Sequence, residues 1–257
     1  MLKQLVYRLY EQRLHRDVAR GPIPHHLGLI QDGHRRYARE AGLSNVKGYR
    51  LGAMKTEEVL TWCAQLGIPM VTLWWLSTEN LSRDVVDVTA VLDVIEDKIP
   101  QWVQGGFTTR LQMRIRPIGK LDLLPDSVLG VLQRAASATE HHDRLLLNVG
   151  VGYGGRQEII DAIKSYLHES FVRRDSPEDI LDGMTADSLA KHLYTCDCPD
   201  PDLIIRTSGE VRLSGFMLWQ SAYSEFYFCD AHWPVFRKID FLRAIRSYQQ
   251  RHRRFGR

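Results

Sequence analysis

Apolar residues along this chain follow two rhythms. Short, mostly apolar runs at His26 to Ile30, Met70 to Leu76, Leu145 to Val149, Leu203 to Ile205 and Phe226 to Phe228 have the length of strands buried on both faces. Leu111 to Ile118 reads as a further strand. The segments between them carry apolar residues three and four apart: Arg35 to Ala41, Leu51 to Leu66, Val85 to Val103, Pro125 to Thr139, Gln157 to Leu167, Ala186 to Tyr194 and Ile239 to Arg251. Such spacing gives a helix one apolar stripe. Six alternations of strand and helix predict an α/β fold: a mainly parallel, six-stranded sheet flanked by helices. Residues 2–18 place Leu2, Leu5, Val6, Leu9, Leu14 and Val18 near helical spacing before Gly21-Pro22-Ile23-Pro24 breaks the chain. This divides the protein into an amphipathic N-terminal helix over residues 1–20 and a single domain over 21–257. Arg173 to Gly183, with mixed charges, reads as an exposed loop.

Composition changes little in this picture, and charge changes more. With 44% apolar and 25% charged residues among 257, the chain is ordinary globular protein, neither collagen-like nor disordered. No apolar run approaches the roughly 20 residues of a membrane-spanning helix, and the N-terminal helix is too interrupted by charge for a secretory signal. Cys63, Cys196, Cys198 and Cys229 form no CxxC pair and read as reduced thiols in a cytoplasmic protein. The net charge of +3 hides an asymmetry. Residues 1–20 and 237–257 hold 13 basic and 3 acidic groups, leaving 21 basic and 28 acidic between them. Basic ends suit an anionic partner, either a phosphorylated ligand or a membrane surface touched peripherally; they also read as two solvated helix faces. A nucleic-acid binder would be more basic throughout.

Ligands in parallel sheets gather beyond the carboxyl ends of the strands, so the residues that follow each strand carry the most information. After the first come Asp32, Gly33, His34, Arg35 and Arg36. A carboxylate offers hard oxygens to Mg²⁺, and arginines entering a helix suit a diphosphate; an aspartate capping a helix with arginines on its wet face is the plainer account. After the second come Ser77, Thr78, Glu79, Asn80 and Arg83, where Ser77 or Thr78 could equally cap the next helix. After the fifth come Arg206, Thr207, Ser208, Gly209 and Glu210, then Arg212 and Ser214, a second set able to grip a phosphate. Glu225, placed beside a strand tip, could join Asp32 at one metal. Gly150-x-Gly152-x-x-Gly155 has the dinucleotide-binding spelling, but the acid at the expected offset, Asp175, lies in the charged loop.

Taken together, these segments resemble the cis-prenyltransferases, the undecaprenyl diphosphate synthase-like family, from about Pro24 to Gly256. The resemblance is carried, in order, by Asp32-Gly33-x-x-Arg36, Ser77 to Asn80, Asn148 through Tyr153-Gly154-Gly155-Arg156, Arg206 to Glu210, Arg212-x-Ser214, Trp219-Gln220 with Tyr223 and Glu225, and Arg254-Phe255-Gly256. The Asp-Asp-x-x-Asp repeats of the all-helical trans-prenyltransferases are absent. The resemblance implies condensation of isopentenyl diphosphate with an allylic diphosphate to give a Z double bond. Asp32 and Glu225 would hold Mg²⁺, Gly33, Arg35 and Arg36 would cradle the allylic diphosphate, and His34, Ser77 and Glu79 would also bind substrate. Asn80 and Arg83 would assist diphosphate departure or proton loss. Arg206, Arg212 and Ser214 would bind isopentenyl diphosphate, and Arg254 with Gly256 would reach across a homodimer interface.

Departures from the family pattern are local. The usual Asp-Gly-Asn-Gly-Arg-Trp-Ala becomes a sequence with His34, Arg35 and Tyr37, while Asn45, Tyr49 and Val211 stand where Arg, His and often His occur. They leave open which allylic diphosphate is used and whether coupling is regular or head-to-middle. Trp75 occupies a position that is small in long-chain synthases and is expected to block the product tunnel early, giving a C10–C20 product such as a Z,E-farnesyl chain; packing on a helix is the alternative. A non-catalytic partner subunit tends to lose the metal and phosphate residues, and Asp32, Arg206, Arg212 and Glu225 are all retained. A nucleotide-binding oxidoreductase built on Gly150, Gly152 and Gly155 is the third reading.

Overall fold

Six short apolar segments become one sheet because none can bury itself alone. The computed structural model describes residues 2–82 and 85–251. In chain order it runs α1 (Leu2–Val18), β1 (His26–Ile30), α2 (His34–Glu40), α3 (Asn45–Leu66), β2 (Met70–Ser77), α4 (Val85–Gln104), α5 (Phe107–Leu111), β3 (Met113–Ile118), α6 (Asp126–Thr139), β4 (Leu145–Tyr153), α7 (Gly155–Arg173), α8 (Pro177–Gly183), α9 (Ala186–Ala190), β5 (Leu203–Arg206), β6 (Glu225–Phe228) and α10 (Lys238–Gln250). The strand order is β3-β4-β2-β1-β5-β6, and every pairing is parallel.

The order has one consequence for function. From β1 the chain moves to β2 on one side, and from β5 it moves to β6 on the other. The crevice between the carboxyl ends of β1 and β5 is therefore the topological switch point, where ligands of open α/β sheets settle. Asp32 leaves β1 there, and Thr207 leaves β5. Their backbones are tied: the Asp32 N–H donates to Thr207 Oγ1 at 2.9 Å, and that hydroxyl donates to the Asp32 carbonyl at 2.8 Å.

The two faces of the sheet differ. Leu27, Leu29, Val71 and Leu73 point into a large cluster with Val59, Ile95, Trp102, Phe241 and Ile245, supplied by α3, α4 and α10. Leu14 and Val18 of α1 belong to the same cluster, so the N-terminal helix packs on the body of the domain. The opposite face holds a smaller cluster of Ile30, Ile118, Tyr153, Ile204, Phe216 and Met217.

Three local expectations are corrected. Arg173 to Gly183 is not a loop throughout: α8 forms within it, started by a capping box in which Ser176 and Asp179 bond each other's backbone and by Pro177 in the first turn. Only Ile180 of that helix is buried, so periodicity had little to register. The third strand begins at Met113, after the short α5. The helix at Ala186 ends at Ala190 rather than Tyr194. The glycine spelling at Gly150 to Gly155 serves packing: the Gly155 N–H donates to the Gly215 carbonyl at 2.7 Å, and a Cβ on Gly155 would lie 2.7 Å from that oxygen. The space a dinucleotide pyrophosphate would need is filled by the chain itself.

Candidate active site

The Asp32 turn is shaped by Gly33. Its φ of +102° suits glycine, and a Cβ there would meet His232 Nδ1 at 2.7 Å and Ser208 Oγ at 2.9 Å. The Gly33 N–H donates to Asp32 Oδ1 at 2.7 Å, which points the carboxylate along the switch-point crevice. Asp32 Oδ2 receives Arg206 Nη2 at 2.8 Å and faces Arg36 Nη2 at 3.5 Å. Burial opposes the charge on Asp32, but the hydrogen bond and charge of Arg206, with Arg36 and the Gly33 N–H, outweigh it and hold the carboxyl below its usual range.

From Arg206 the contacts continue round a circuit. Its Nη1 donates to Ser214 Oγ at 2.8 Å and to the Arg212 carbonyl at 2.5 Å. Arg212 Nε donates to the same serine hydroxyl at 3.2 Å, and its Nη1 pairs with Glu210. Glu210 Oε1 meets Arg36 Nη1 at 3.0 Å, which closes the ring back to Asp32. Three arginines thus face two carboxylates. Arg206, whose side chain is 5% exposed, keeps its buried Nε without a partner. A buried guanidinium N–H left empty costs stability and is the kind of donor an incoming phosphate oxygen satisfies.

This ring sits at the mouth of a cavity of about 830 Å³ between the sheet and helices α3 and α4. Of the residues singled out by sequence, Asp32, Gly33, His34, Arg35, Arg36, Trp75, Ser77, Glu79, Asn80, Arg206, Arg212 and Ser214 all line it. Arg35 is turned away from Asp32: its Nη1 donates to Asp87 Oδ2 of α4 at 2.8 Å, and Asn45 donates to the other oxygen of that carboxylate at 2.9 Å. Burial lowers the His34 imidazole to about 4, so it is neutral near pH 7; its ring lies 5.5 Å from that of Tyr49. Ser77 Oγ accepts the Asn80 N–H at 3.0 Å, the cap that fixes the turn after β2. The side of the cavity formed by α3 and α4 is apolar, walled by Ala53, Val88, Val91, Val94 and Ile95.

Trp74 and Trp75 point to opposite faces of β2, as strand geometry requires. Trp74 stacks on Phe216 at 5.4 Å and donates to the Tyr153 carbonyl at 3.0 Å. Trp75 lies on the other face, 5.5 Å from Trp102 of α4, and lines the cavity. The β2–β4 register skips Trp75 on one strand and Gly152 on the other, so Trp75 sits at an irregularity where the two strands splay. Both sequence readings of Trp75 thus meet in one side chain: it packs on a helix and borders the cavity.

One expectation is not met within a single chain. Glu225 begins β6, opposite Leu203 at the amino end of β5, whereas Asp32 follows the carboxyl end of β1. Its carboxylate pairs with Arg251. Within one chain it cannot share a metal ion with Asp32, because parallel pairing puts the first residue of a strand at the far edge of the sheet. Arg83, Arg254 and Gly256 lie outside the described residues. Sequence reasoning gave no role to Arg156, which follows the Gly154-Gly155 turn into α7 and lines the cavity beside Arg212 and Ser214, nor to Glu210 and Asp87, which hold Arg36 and Arg35. An acid near each arginine on a loop was the available signal for Glu210; nothing local marked Asp87.

A metal ion fits this site on one condition. Among the described residues no group of three or more His, Cys, Asp or Glu side chains converges. Asp32 is the carboxylate at the tip of β1 that faces the crevice, and Mg²⁺ commonly takes one or two protein carboxylates with the remainder from phosphate and water. The donor set therefore suits a metal that arrives with a diphosphate.

Comparison with known proteins agrees with this geometry. A family model of undecaprenyl diphosphate synthase matches residues 30–256. An isoprenyl transferase of Thermus thermophilus is 51% identical over 256 residues, covering all of this chain and 97% of its own. The (2Z,6E)-farnesyl diphosphate synthase of Thermobifida fusca is 51% identical over 257 residues, covering all of this chain and 99% of its own. Among solved structures, lavandulyl diphosphate synthase from Lavandula x intermedia, in complex with dimethylallyl diphosphate, superposes with a TM-score of 0.86 at 31% identity, covering 91% of this chain and 99% of that one.

Proposed function

This chain belongs to the undecaprenyl diphosphate synthase family and is an isoprenyl transferase, and we propose that it condenses isopentenyl diphosphate with a short allylic diphosphate to give a Z-configured C10–C20 product. The observation that carries the reading is the ring of Arg36, Arg206 and Arg212 around Asp32, all four lining a cavity whose other wall is apolar. Diphosphates bind where the cations are, and a prenyl chain extends where the wall is apolar.

The chemistry places its demands on charge. The allylic C–O bond breaks with its electron pair going to the diphosphate. The double bond of isopentenyl diphosphate attacks the resulting cation, a C–C bond forms, and a proton leaves to set the new double bond. Arg36 and the Gly33 turn hold the departing diphosphate, and Arg206, Arg212 and Ser214 hold the isopentenyl diphosphate. Fixed cations aimed at developing negative charge lower the barrier without a protein nucleophile. Asn80, on the turn fixed by the Ser77 cap and lining the cavity, is given the task of assisting departure or proton loss. Asp32, kept ionised, would hold Mg²⁺, which supplies Lewis-acid neutralisation of the leaving diphosphate. His34 remains a neutral donor or acceptor toward the allylic diphosphate.

The name of the Thermobifida relative supports a short product, and Trp75, which lines the cavity, is read as the stop that sets it. A second reading, head-to-middle coupling of two allylic units, is supported by the likeness to lavandulyl diphosphate synthase and by His34 in the diphosphate turn. A homodimer, with Arg254 and Gly256 reaching the partner's site, remains part of the proposal. So does peripheral membrane contact: α1 exposes Val6 and Leu9 on the stripe that continues through Arg13 and Arg16, with Arg20 just beyond its end. No helix among the described residues is long and apolar enough to cross a membrane.

The test is incubation with Mg²⁺, isopentenyl diphosphate and, in turn, dimethylallyl, geranyl and farnesyl diphosphates, followed by product identification by mass and double-bond geometry. A Z,E-farnesyl chain from geranyl diphosphate is expected. A C50-sized product removes the role given to Trp75, a branched product from dimethylallyl diphosphate alone selects the second reading, and no product from any pair overturns the proposal.

A further inference from the structure

Beneath the Asp32–Gly33 turn lies a polar relay that the proposed chemistry does not use. Segment Ala231–Trp233, which follows β6, contacts four separate pieces of the site. The Ala231 carbonyl accepts the Ser208 N–H at 2.8 Å, and the Trp233 N–H donates to the Asp32 carbonyl at 3.0 Å. The Trp233 indole donates to the Gly52 carbonyl of α3 at 2.9 Å. Between them His232 Nδ1 meets Ser208 Oγ at 2.9 Å, and Nε2 meets Glu40 Oε1 at 3.2 Å.

The placement is specific. Glu40 is the last residue of α2, and Gly33 is the residue that caps its start. Nδ1 would lie 2.7 Å from a Cβ on Gly33, so the imidazole is in contact with the backbone of the turn itself. One ring therefore bears on both ends of the helix that carries Arg35 and Arg36. Ser208 is 6% exposed and the His232 side chain 19%, so the bond between them is sheltered from water, whereas Glu40, 61% exposed, holds the outer side of the ring at the surface. The relay also binds α2 to the loop after β5, the strand that delivers Arg206. The relative position of Arg36 and Arg206 across Asp32 is what the diphosphate turn needs, and two short polar contacts through one side chain hold it.

We propose that His232 is a positioning residue of the Asp32–Gly33–Arg36 diphosphate cradle, acting through Ser208 and Glu40 to fix the placement of α2. The inference rests on the reading of that turn as the allylic diphosphate site. It concerns geometry alone: His232 does not line the cavity and touches no substrate.

The substitution that separates this from a merely structural role is His232→Leu, which keeps bulk and removes both polar contacts. The expected result is a KM for the allylic diphosphate raised about tenfold, the equivalent of one buried hydrogen bond, with the KM for isopentenyl diphosphate changed less than about twofold. His232→Gln, which restores a donor and an acceptor, recovers most of the loss. Ser208→Ala and Glu40→Gln, milder changes, shift the same constant in the same direction and serve if the leucine variant fails to fold. Equal increases in both KM values, no increase in either, or a glutamine variant no better than leucine overturns the proposal. Calorimetric titration with inorganic pyrophosphate and Mg²⁺ keeps it apart from the functional reading. If wild type turns over no substrate pair, the functional reading fails, while weaker pyrophosphate binding by His232→Leu than by wild type still supports the relay. Equal binding, or none by wild type, ends it.

Discussion

Two polar assemblies in this protein use the same residue types toward opposite ends. One is the arginine ring at the switch point. The other joins α7, the turn after α9 and the segment before β6. There Tyr153 donates to Glu158 Oε2 at 2.5 Å, and Glu158 Oε1 receives Gln220 Nε2 at 2.9 Å and the Tyr194 N–H at 3.0 Å. Tyr194 in turn donates to Asp161 at 2.5 Å, and Gln220 also reaches Thr195. Glu158 is fully buried; burial raises its carboxyl above the ordinary range even with three donors converging on it. This lock surrounds one buried acceptor with donors from three segments. The arginine ring has more cations than carboxylates, opens on a cavity, and keeps a buried N–H of Arg206 free. Each network leaves one buried atom unpaired, Gln220 Oε1 in the lock and Arg206 Nε in the ring, so the difference lies in charge and access: the lock gathers neutral donors round one carboxylate, whereas the ring gathers cations beside a cavity.

If that distinction holds, substitutions in the two assemblies will fail in different measurements. The largest effect is expected at Arg206→Ala, which strips Asp32 and Ser214 of their shared donor. Turnover should fall roughly a thousandfold, while urea unfolding shifts far less; comparable losses in both would erase the contrast. Glu158→Ala should do the reverse. Orphaning three buried donors costs about 3 to 4 kcal/mol of stability, read as a lower denaturant midpoint, with the KM of both substrates near wild type in the folded protein.

Acid sharpens the comparison from another side. His26 is fully buried between the Pro199 carbonyl and Thr72 Oγ1, and burial lowers its imidazole to about 4, below the ordinary 6.5. The unfolded chain therefore takes up a proton that the folded one refuses. The stability gained from the neutral ring is complete above about pH 6.5 and is lost as the pH falls toward 4, roughly 3 kcal/mol in all. Thermal midpoints should drop across that window, and a His26→Gln variant should show a flatter curve. Asp32, depressed by Arg206, loses its contribution only below the ordinary carboxylate range. The smallest effect on stability, about 1 to 2 kcal/mol, is expected at Trp75→Ala, yet it should lengthen the product, detected by chromatography of the dephosphorylated alcohols. Products no longer than those of wild type would show that Trp75 only packs against Trp102.

Strand positions were legible because parallel strands buried on both faces must be apolar throughout; Met70 to Leu76 could hardly be anything else. That Arg36, Arg206 and Arg212 gather at one crevice was legible from their place after strands and from the family pattern. Glu225 was misplaced for a physical reason: a residue beside a strand can stand at either end of it, and only the register with β5 shows which. Helix α8 escaped notice because its start is set by Ser176, Pro177 and Asp179, while its burial involves a single isoleucine.

The sequence by itself determined the class of fold, the residues available at each strand end, and the chemistry those residues can perform, since these depend on side-chain type and local spacing. The tertiary structure alone decided which of them meet. The pairing of Arg35 with Asp87 across 52 positions, of Arg206 with Asp32 across 174, and of His232 with Glu40 across 192 follows from strand order and helix packing. Those arise from burying the whole set of apolar surfaces at once, a condition that no local stretch of sequence expresses.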